Sequence, residues 1–406
     1  MKKVAIFTSS RSDFGLLRRV IELCSYVFDL DLLVLGSHNS AHQQSEVDIS
    51  QHTRHLAVRQ IPVNFALESI SHQSQCEALA QAQLHMSSLL AQQQYDLFLI
   101  LGDRWELFGA SVPAFLFNIP IAHISGGEIT EGAVDDSIRH AHTKLASLHF
   151  AANNLYASNI SKMGEEDWRI TVSGECGLDA IHQSDVATPA EILTQYGIDL
   201  AEPTILVTLH PSTRELHIPV AQQIQCVCNV LDGFAKNNIV ITAPGLESGA
   251  EQIIDAIKRF VAAGERRFYV PSFGSKNYLT VLKNAKVILG NSSSGLVEAA
   301  SFGVPCVNVG KRQEGRLAAA SVLHCGYVES EIEAQLNKAL SDQFRRANLH
   351  CANPYDPYHD GRNSDRIVYT LQRALDTIPR DRLLKKKLDF TVLETEWNTL
   401  LNGYRK

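Results

Sequence analysis

The chain has 406 residues, 45% of them hydrophobic and 20% charged, with a formal net charge of -7 at neutral pH. This length exceeds one ordinary hydrophobic core and points to two α/β domains of globular composition. The acidic balance argues against a nucleic-acid surface, though not against a locally basic site for an anionic ligand.

Met1 to Phe7 turns polar too quickly for a signal peptide and reads as a first buried strand. The longest apolar stretches, such as Val112 to Ile124, are broken by Pro113, Asn118 and Pro120, so no membrane span or membrane partner is expected. The eight cysteines are scattered without a paired CxxC set. Structural zinc is therefore not expected, and a reducing, cytoplasmic setting is.

Val4–Thr8 reads as a buried parallel strand, a short apolar run ending in polar residues. A dinucleotide fold carries GxGxxG at this point. Here the chain has Thr8-Ser9-Ser10-Arg11-Ser12-Asp13-Phe14-Gly15, which argues against a nicotinamide cofactor. Ser12 or Asp13 is expected to cap the helix that follows, which shows Leu16, Leu17, Val20, Ile21, Leu23 and Cys24 at helical spacing. Capping accounts for the hydroxyls but not for Arg11, which opposes the helix dipole unless an anion lies near. The next strand, Leu30–Leu35, completes the strand–helix–strand alternation of a doubly wound sheet.

In such sheets ligands bind beyond the carboxyl ends of the strands, so polar motifs at those ends carry most weight. Leu97–Leu101 runs into Gly102-Asp103-Arg104, where an Asp–Arg neighbour pair is either a site or a structural salt bridge. Ile119–Ile124 runs into Ser125-Gly126-Gly127-Glu128. The glycines let the backbone approach a ligand and Glu128 is a candidate acid or base, against the alternative of a plain tight turn. Asp135-Asp136-Ser137-Ile138-Arg139-His140 starts a helix, with Asp136, Arg139 and His140 on one face. That motif is an N-cap with a salt bridge or a pair of carboxylates tuned for proton transfer. Leu148–Ala151 is the last strand expected in this half.

The pattern pauses between Ser184 and Pro203 and then restarts with Ile205–Thr208, Ile239–Thr242, Phe268–Val270, Val287–Leu289 and Cys306–Val309. A helix with Val220, Ile224, Val227, Leu231 and Phe234 follows the first of these. His210 lies just beyond that strand, a candidate for phosphate contact or proton transfer. Gly290-Asn291-Ser292-Ser293-Ser294-Gly295 leads from a strand into a helix near Leu296–Phe302, an arrangement suited to a diphosphate. Glu298, one turn in, can accept both hydroxyls of a ribose. Gly310-Lys311-Arg312-Gln313-Glu314-Gly315-Arg316 adds cations after the next strand. The charged C-terminal tail, with Lys385-Lys386-Lys387, reads as a helix with a solvated lysine face.

Jointly and in this order, these motifs resemble the hydrolysing UDP-N-acetylglucosamine 2-epimerase family of sialic- and legionaminic-acid biosynthesis, over nearly the whole chain. The resemblance implies an α/β protein of GT-B fold: two Rossmann-like doubly wound domains with UDP in a central cleft. The N-terminal domain would comprise residues 1–180 plus a returning C-terminal helix in 365–406, and the UDP-binding domain residues 181–364. It implies UDP contacts at Arg11, His210, Ser292, Ser293 and Glu298, neutralisation of the diphosphate by Arg312, and Tyr278 flanking the uracil. The family's catalytic carboxylates fall on Asp103 and Asp135, with Glu128 and His210 as further catalytic candidates. Asp13, Arg104, Ser125 and Arg139 are expected near the sugar.

No cofactor or metal is implied, and relatives suggest a homodimer or homotetramer. The expected reaction eliminates UDP from UDP-N-acetylglucosamine and hydrates the resulting glycal to N-acetylmannosamine. UDP-N,N'-diacetylbacillosamine is the alternative substrate, and a GT-B glycosyltransferase the alternative activity. One departure stands out. Many relatives carry a glutamate where this chain has Ser125, and a serine is no general base without help.

Overall fold

The computed structural model describes residues 1–35, 49–63, 71–183, 186–212, 214–215, 217–245 and 248–387, with Arg11, Ser50 and Gln51 described in their backbone alone. Two parallel sheets organise it. The first contains β1 (Lys3–Thr8), β2 (Asp29–Leu35), β3 (Val58–Val63), β4 (Leu97–Leu101), β5 (Ile121–Ile124), β6 (Leu148–Ala151) and β7 (Ile170–Val172), in the spatial order β3-β2-β1-β4-β5-β6-β7. The second contains β8 (Thr204–Thr208), β9 (Asn238–Thr242), β10 (Arg267–Val270), β11 (Val287–Gly290), β12 (Cys306–Val309) and β13 (Val322–Cys325), in the order β10-β9-β8-β11-β12-β13. In each sheet the winding reverses beside the first strand, between β1 and β4 and between β8 and β11. A crevice opens at such a reversal, and it is where a doubly wound fold takes its ligand.

The central strands form because they are apolar on both faces. β4 (Leu-Phe-Leu-Ile-Leu) is buried at every position, and helices cover it on both sides. β5 is shorter than expected, because Pro120 has no amide for the ladder. Its carbonyl still accepts from the Phe98 N–H at 2.9 Å. The helix expected over Leu296–Phe302 is instead one α-turn, Ser294–Val297, followed by a 3-10 turn, Ala299–Phe302, that ends at Gly303 with φ of 64°. The helix after β8 spans Val220–Asp232 and stops short of Phe234.

The chain finally returns to the first sheet. Ile367, Val368, Leu371, Ala374 and Leu375 of the Asn363–Thr377 helix share a core with Phe14, Leu17, Val20, Ile21 and Cys24 of the Arg11–Val27 helix. The carboxylate of Asp179 accepts from the backbone N–H groups of Asn363 at 2.9 Å and Ser364 at 2.7 Å, satisfying two donors at the start of the returning helix.

The lysine run departs from expectation. Residues 385–387 are not helical, and although Lys385 and Lys387 are exposed, Lys386 is largely withdrawn from water. Its ammonium donates to the carbonyls of Thr143, Lys144 and Ala146 and pairs with Glu165 at 2.8 Å. These carbonyls end the Asp135–Leu145 helix, where a cation offsets the negative end of the dipole. Residues 388–406, expected to continue the helical tail, lie outside the described residues. No helix among the described residues is long and apolar enough to cross a membrane.

Candidate functional site

The carboxyl ends of the two sheets face each other across a cleft of about 600 Å³. Asp13, Asp103, Arg104, Ser125, Glu128, Asp135 and Arg139 line it from the first sheet's side. His210, Tyr278, Ser292, Ser293, Glu298 and Arg312 line it from the second. Arg11 opens the first helix, but its side chain lies outside the described residues, as does Thr213 beyond His210.

Local backbone chemistry sets several of these positions. Ser10, rather than Ser12 or Asp13, caps the first helix, accepting from the Asp13 N–H at 3.3 Å. Asp13 is thereby released from capping and accepts from the Ser9 hydroxyl. Ser125 adopts φ of 63°, an uncommon left-handed conformation for a non-glycine residue. Gly127 follows at φ of 77°, and a Cβ there would strike the Tyr156 carbonyl. Gly290 holds φ of 137° at the end of β11, where a side chain would meet the Thr208 backbone. That close approach sets the serine turn against β8.

The first-sheet carboxylates are matched with arginines. Asp103 pairs with Arg139, whose side chain is 1% exposed. Arg139 Nη1 also donates to the Glu128 carbonyl at 3.1 Å and to Thr130 Oγ1 at 3.0 Å. Arg104 pairs with Glu106 at 2.6 Å. From the second sheet's side Arg316 reaches Glu128 at 2.7 Å and Asp103 at 3.9 Å, and Arg312 lies 3.6 Å from Asp135. Burial raises the Glu128 pKa above the ordinary carboxylate value, and the Arg316 charge pulls it back. Asp136 sits 3.6 Å from Arg139 and 3.5 Å from His140, so these three residues do share a helix face.

The second sheet presents His210 in a defined state. Its backbone N–H donates to Asn291 Oδ1 at 2.7 Å, and its carbonyl accepts from Asn291 Nδ2 at 2.8 Å. Its Nδ1 accepts from the Gly245 N–H at 3.1 Å. Nδ1 is therefore unprotonated, and Nε2 carries the proton. Burial, then the charges of Arg312 and Arg104, hold the imidazole well below its ordinary pKa, so it stays neutral. It can donate from Nε2 to a phosphate oxygen. The Tyr278 hydroxyl donates to Ser294 Oγ at 2.7 Å, and burial followed by the Glu298 charge keeps the phenol un-ionised. Burial also raises the Glu298 pKa.

Arg316 and Glu175 are among the cleft residues not assigned from sequence. Arg316 stood only among the cations after β12, and nothing local tells that its guanidinium crosses to Glu128. Glu175 lies beyond β7, a strand that sequence alone did not reveal. Its carboxylate accepts from Ser125 Oγ at 2.9 Å and lines the cleft. The serine at position 125 therefore does not leave its surroundings without a carboxylate; one arrives from another strand.

The family model described as UDP-N-acetylglucosamine 2-epimerase matches residues 24–372. The chain is 31% identical over 383 residues to a UDP-N,N'-diacetylbacillosamine 2-epimerase (hydrolyzing) of Legionella pneumophila, covering 93% of this chain and 97% of that protein. It is 30% identical over 349 residues to a UDP-N-acetylglucosamine 2-epimerase of Neisseria meningitidis, covering 84% and 88%. Among solved structures it resembles the Neisseria meningitidis UDP-GlcNAc 2-epimerase bound to UDP-GlcNAc, with a TM-score of 0.76 at 18% identity over 92% of this chain and 100% of that one. That last likeness is one of fold.

Proposed function

The chain belongs to the UDP-N-acetylglucosamine 2-epimerase family, and from that membership we propose that it hydrolyses UDP-N-acetylglucosamine with inversion at C2. The products would be N-acetylmannosamine and UDP, feeding nonulosonic (sialic) acid synthesis. The observation that carries this is the division of the cleft. Arginine-paired carboxylates at Asp103, Glu128 and Asp135 face a neutral His210, the serine turn, Glu298 and Arg312.

A carboxylate, Asp103 or Asp135, takes the proton from C2 while the bond from C1 to the UDP oxygen breaks, leaving a glycal. His210 Nε2–H, Arg312 and Arg11 hold the departing diphosphate, with Ser292, Ser293, Glu298 and Tyr278 around the nucleoside. Water then adds at C1 and a proton at C2 from the opposite face. The C2 proton is weakly acidic, so preorganised charge around the leaving group must supply much of the rate. Acid–base catalysis contributes on the order of 10²–10⁴-fold. Asp13, Arg104, Ser125 and Arg139 would shape the sugar pocket. The eight cysteines, all unpaired, support a reducing, cytoplasmic setting. Exposed Leu84, Phe115, Leu116 and Phe117 support a homo-oligomer.

The test is turnover of UDP-N-acetylglucosamine in deuterated water, followed by NMR. Free N-acetylmannosamine carrying deuterium at C2 is expected, and product without that deuterium defeats the scheme. The Legionella relative favours a second reading, the same chemistry on UDP-N,N'-diacetylbacillosamine. Parallel assays of the two substrates separate them. Release of free sugar without an acceptor separates either from a glycosyltransferase.

A further inference from the structure

Inversion at C2 by elimination and hydration needs two proton-transfer groups, one for each face of the sugar. The first-sheet carboxylates Asp103, Glu128 and Asp135 each face an arginine, whose positive charge favours the ionised form of a neighbouring carboxyl. Such groups suit taking a proton or stabilising charge. An acid that gives a proton needs a different environment.

Glu175 has one. It is buried, and among the described residues no cation lies within ion-pair distance of it. Its carboxyl meets the Ser125 hydroxyl at 2.9 Å and 3.1 Å through its two oxygens. Its backbone is clamped, the N–H donating to the Tyr355 carbonyl at 3.0 Å and the carbonyl accepting from Asn363 Nδ2 at 3.1 Å. Ser125 reaches it from the left-handed turn after β5, a conformation that costs free energy in a non-glycine residue and is held by the surrounding structure.

We propose that Glu175, positioned by Ser125, is a further catalytic acid of this cleft, the group that delivers a proton to C2 of the glycal. The proposal rests on the hydrolysing 2-epimerase reading above. In the hydration step the C1=C2 electron pair takes the proton from the Glu175 carboxyl and forms the new C2–H bond. Water forms its bond to C1 and gives its surplus proton to an ionised carboxylate of the site, of which Glu128 is the neighbour. Glu175 is left ionised and regains a proton from solvent before the next turnover. No oxidant or further reactant is needed.

The charged groups around Glu175 support its being protonated near neutral pH. Burial raises its pKa most, the Glu128 charge adds to this, the Ser125 hydroxyl opposes it, and Arg316 and Glu298 act more weakly in opposite directions, leaving it at about 8. Its chain neighbour Cys176 is buried and stays a thiol, with Asp179 next along.

The experiment compares wild type, E175Q and S125A by pH–rate profile on UDP-N-acetylglucosamine, with UDP affinity measured in parallel. Glutamine has the shape of a protonated glutamate but cannot act as an acid. E175Q is expected to lose about 100-fold or more in kcat, with UDP affinity unchanged. The wild-type alkaline limb, in which kcat falls as pH rises through about 8, is expected to vanish in that variant. S125A removes a donor that favours the ionised form, so its alkaline limb should move upward. E175Q within about 3-fold of wild type, or a limb unmoved in S125A, overturns the proposal. A wild type that releases no free sugar from either UDP-sugar overturns the underlying function, and this assignment with it.

Discussion

Arg316 and Glu128 form an ion pair across the cleft, at 2.7 Å, with both side chains largely withdrawn from water. The guanidinium belongs to the segment after β12 and the carboxylate to the turn after β5, so the pair ties the two sheets together across the cleft. Beside it the Glu131 N–H donates to the Glu314 carbonyl at 3.0 Å.

Arg316→Gln should therefore affect more than affinity. It leaves Glu128 buried without its cation, a change that costs about 3–5 kcal/mol when a buried pair loses one partner. The Glu128 pKa should rise further. The expected outcome is a lower melting temperature together with loss of turnover; a variant that melts and turns over like wild type would remove Arg316 from the site.

Asp103→Asn should abolish turnover, by about 10²-fold or more, while UDP affinity stays near that of wild type. Asp103 belongs to the first sheet, and the proposed UDP contacts belong to the second and to Arg11. Isothermal titration with UDP beside the turnover assay checks both halves of this expectation. A tenfold loss of UDP binding would mean that the carboxylate shapes the nucleotide site as well.

His210→Ala should weaken UDP binding rather than shift a pH profile. The ring is already neutral, because burial and the neighbouring arginines hold its pKa well below the usual imidazole value. UDP affinity of the wild type should accordingly show no titration of this group between about pH 6 and 8, where an ordinary histidine changes charge. A break there that disappears in the alanine variant would contradict the neutral imidazole.

Stability should fall on mild acidification. Burial drives His123 to about 3 and His142 to about 4. An unfolded chain takes up these protons as pH drops through about 6.5, whereas the folded chain does so only near the depressed values. Each ring thus removes about 1.4 kcal/mol of stability per pH unit across that window. Urea melts from pH 7 to 4.5 should follow this slope, and His142→Gln should flatten it. The two rings lie 5.9 Å apart behind the cleft, His123 Nε2 donating to the Gly102 carbonyl at 2.7 Å.

The two-sheet architecture was legible because central parallel strands are apolar on both faces, and β1, β4, β8 and β11 carry that pattern. Three of the four edge strands were not; the fourth, β10, was legible as Phe268–Val270. β3 reads Val-Arg-Gln-Ile-Pro-Val and is largely exposed, and β7 and β13 are half-covered at the sheet margins. The loss of β7 had a chemical consequence. Polar motifs gain weight from standing at a strand end, and without that strand Glu175 had no strand to end. Lys386 failed in the other direction: its neighbours in sequence suggest a solvated run, and only the tertiary fold brings helix carbonyls to it. The same holds for the arginine that crosses the cleft.

The chain passes between the two halves twice, once after β7 and once before the returning helix. Asp179 ties those passages together through the amides of Asn363 and Ser364, and the Glu175 N–H adds a second tie to the Tyr355 carbonyl. A single tether lets two bodies swivel, whereas two tethers fastened side by side act as a door hinge, with one axis and little twist. Glu175, which sits on the fastening, should scarcely move, so the proposed acid and its serine stay assembled whether the door is open or shut.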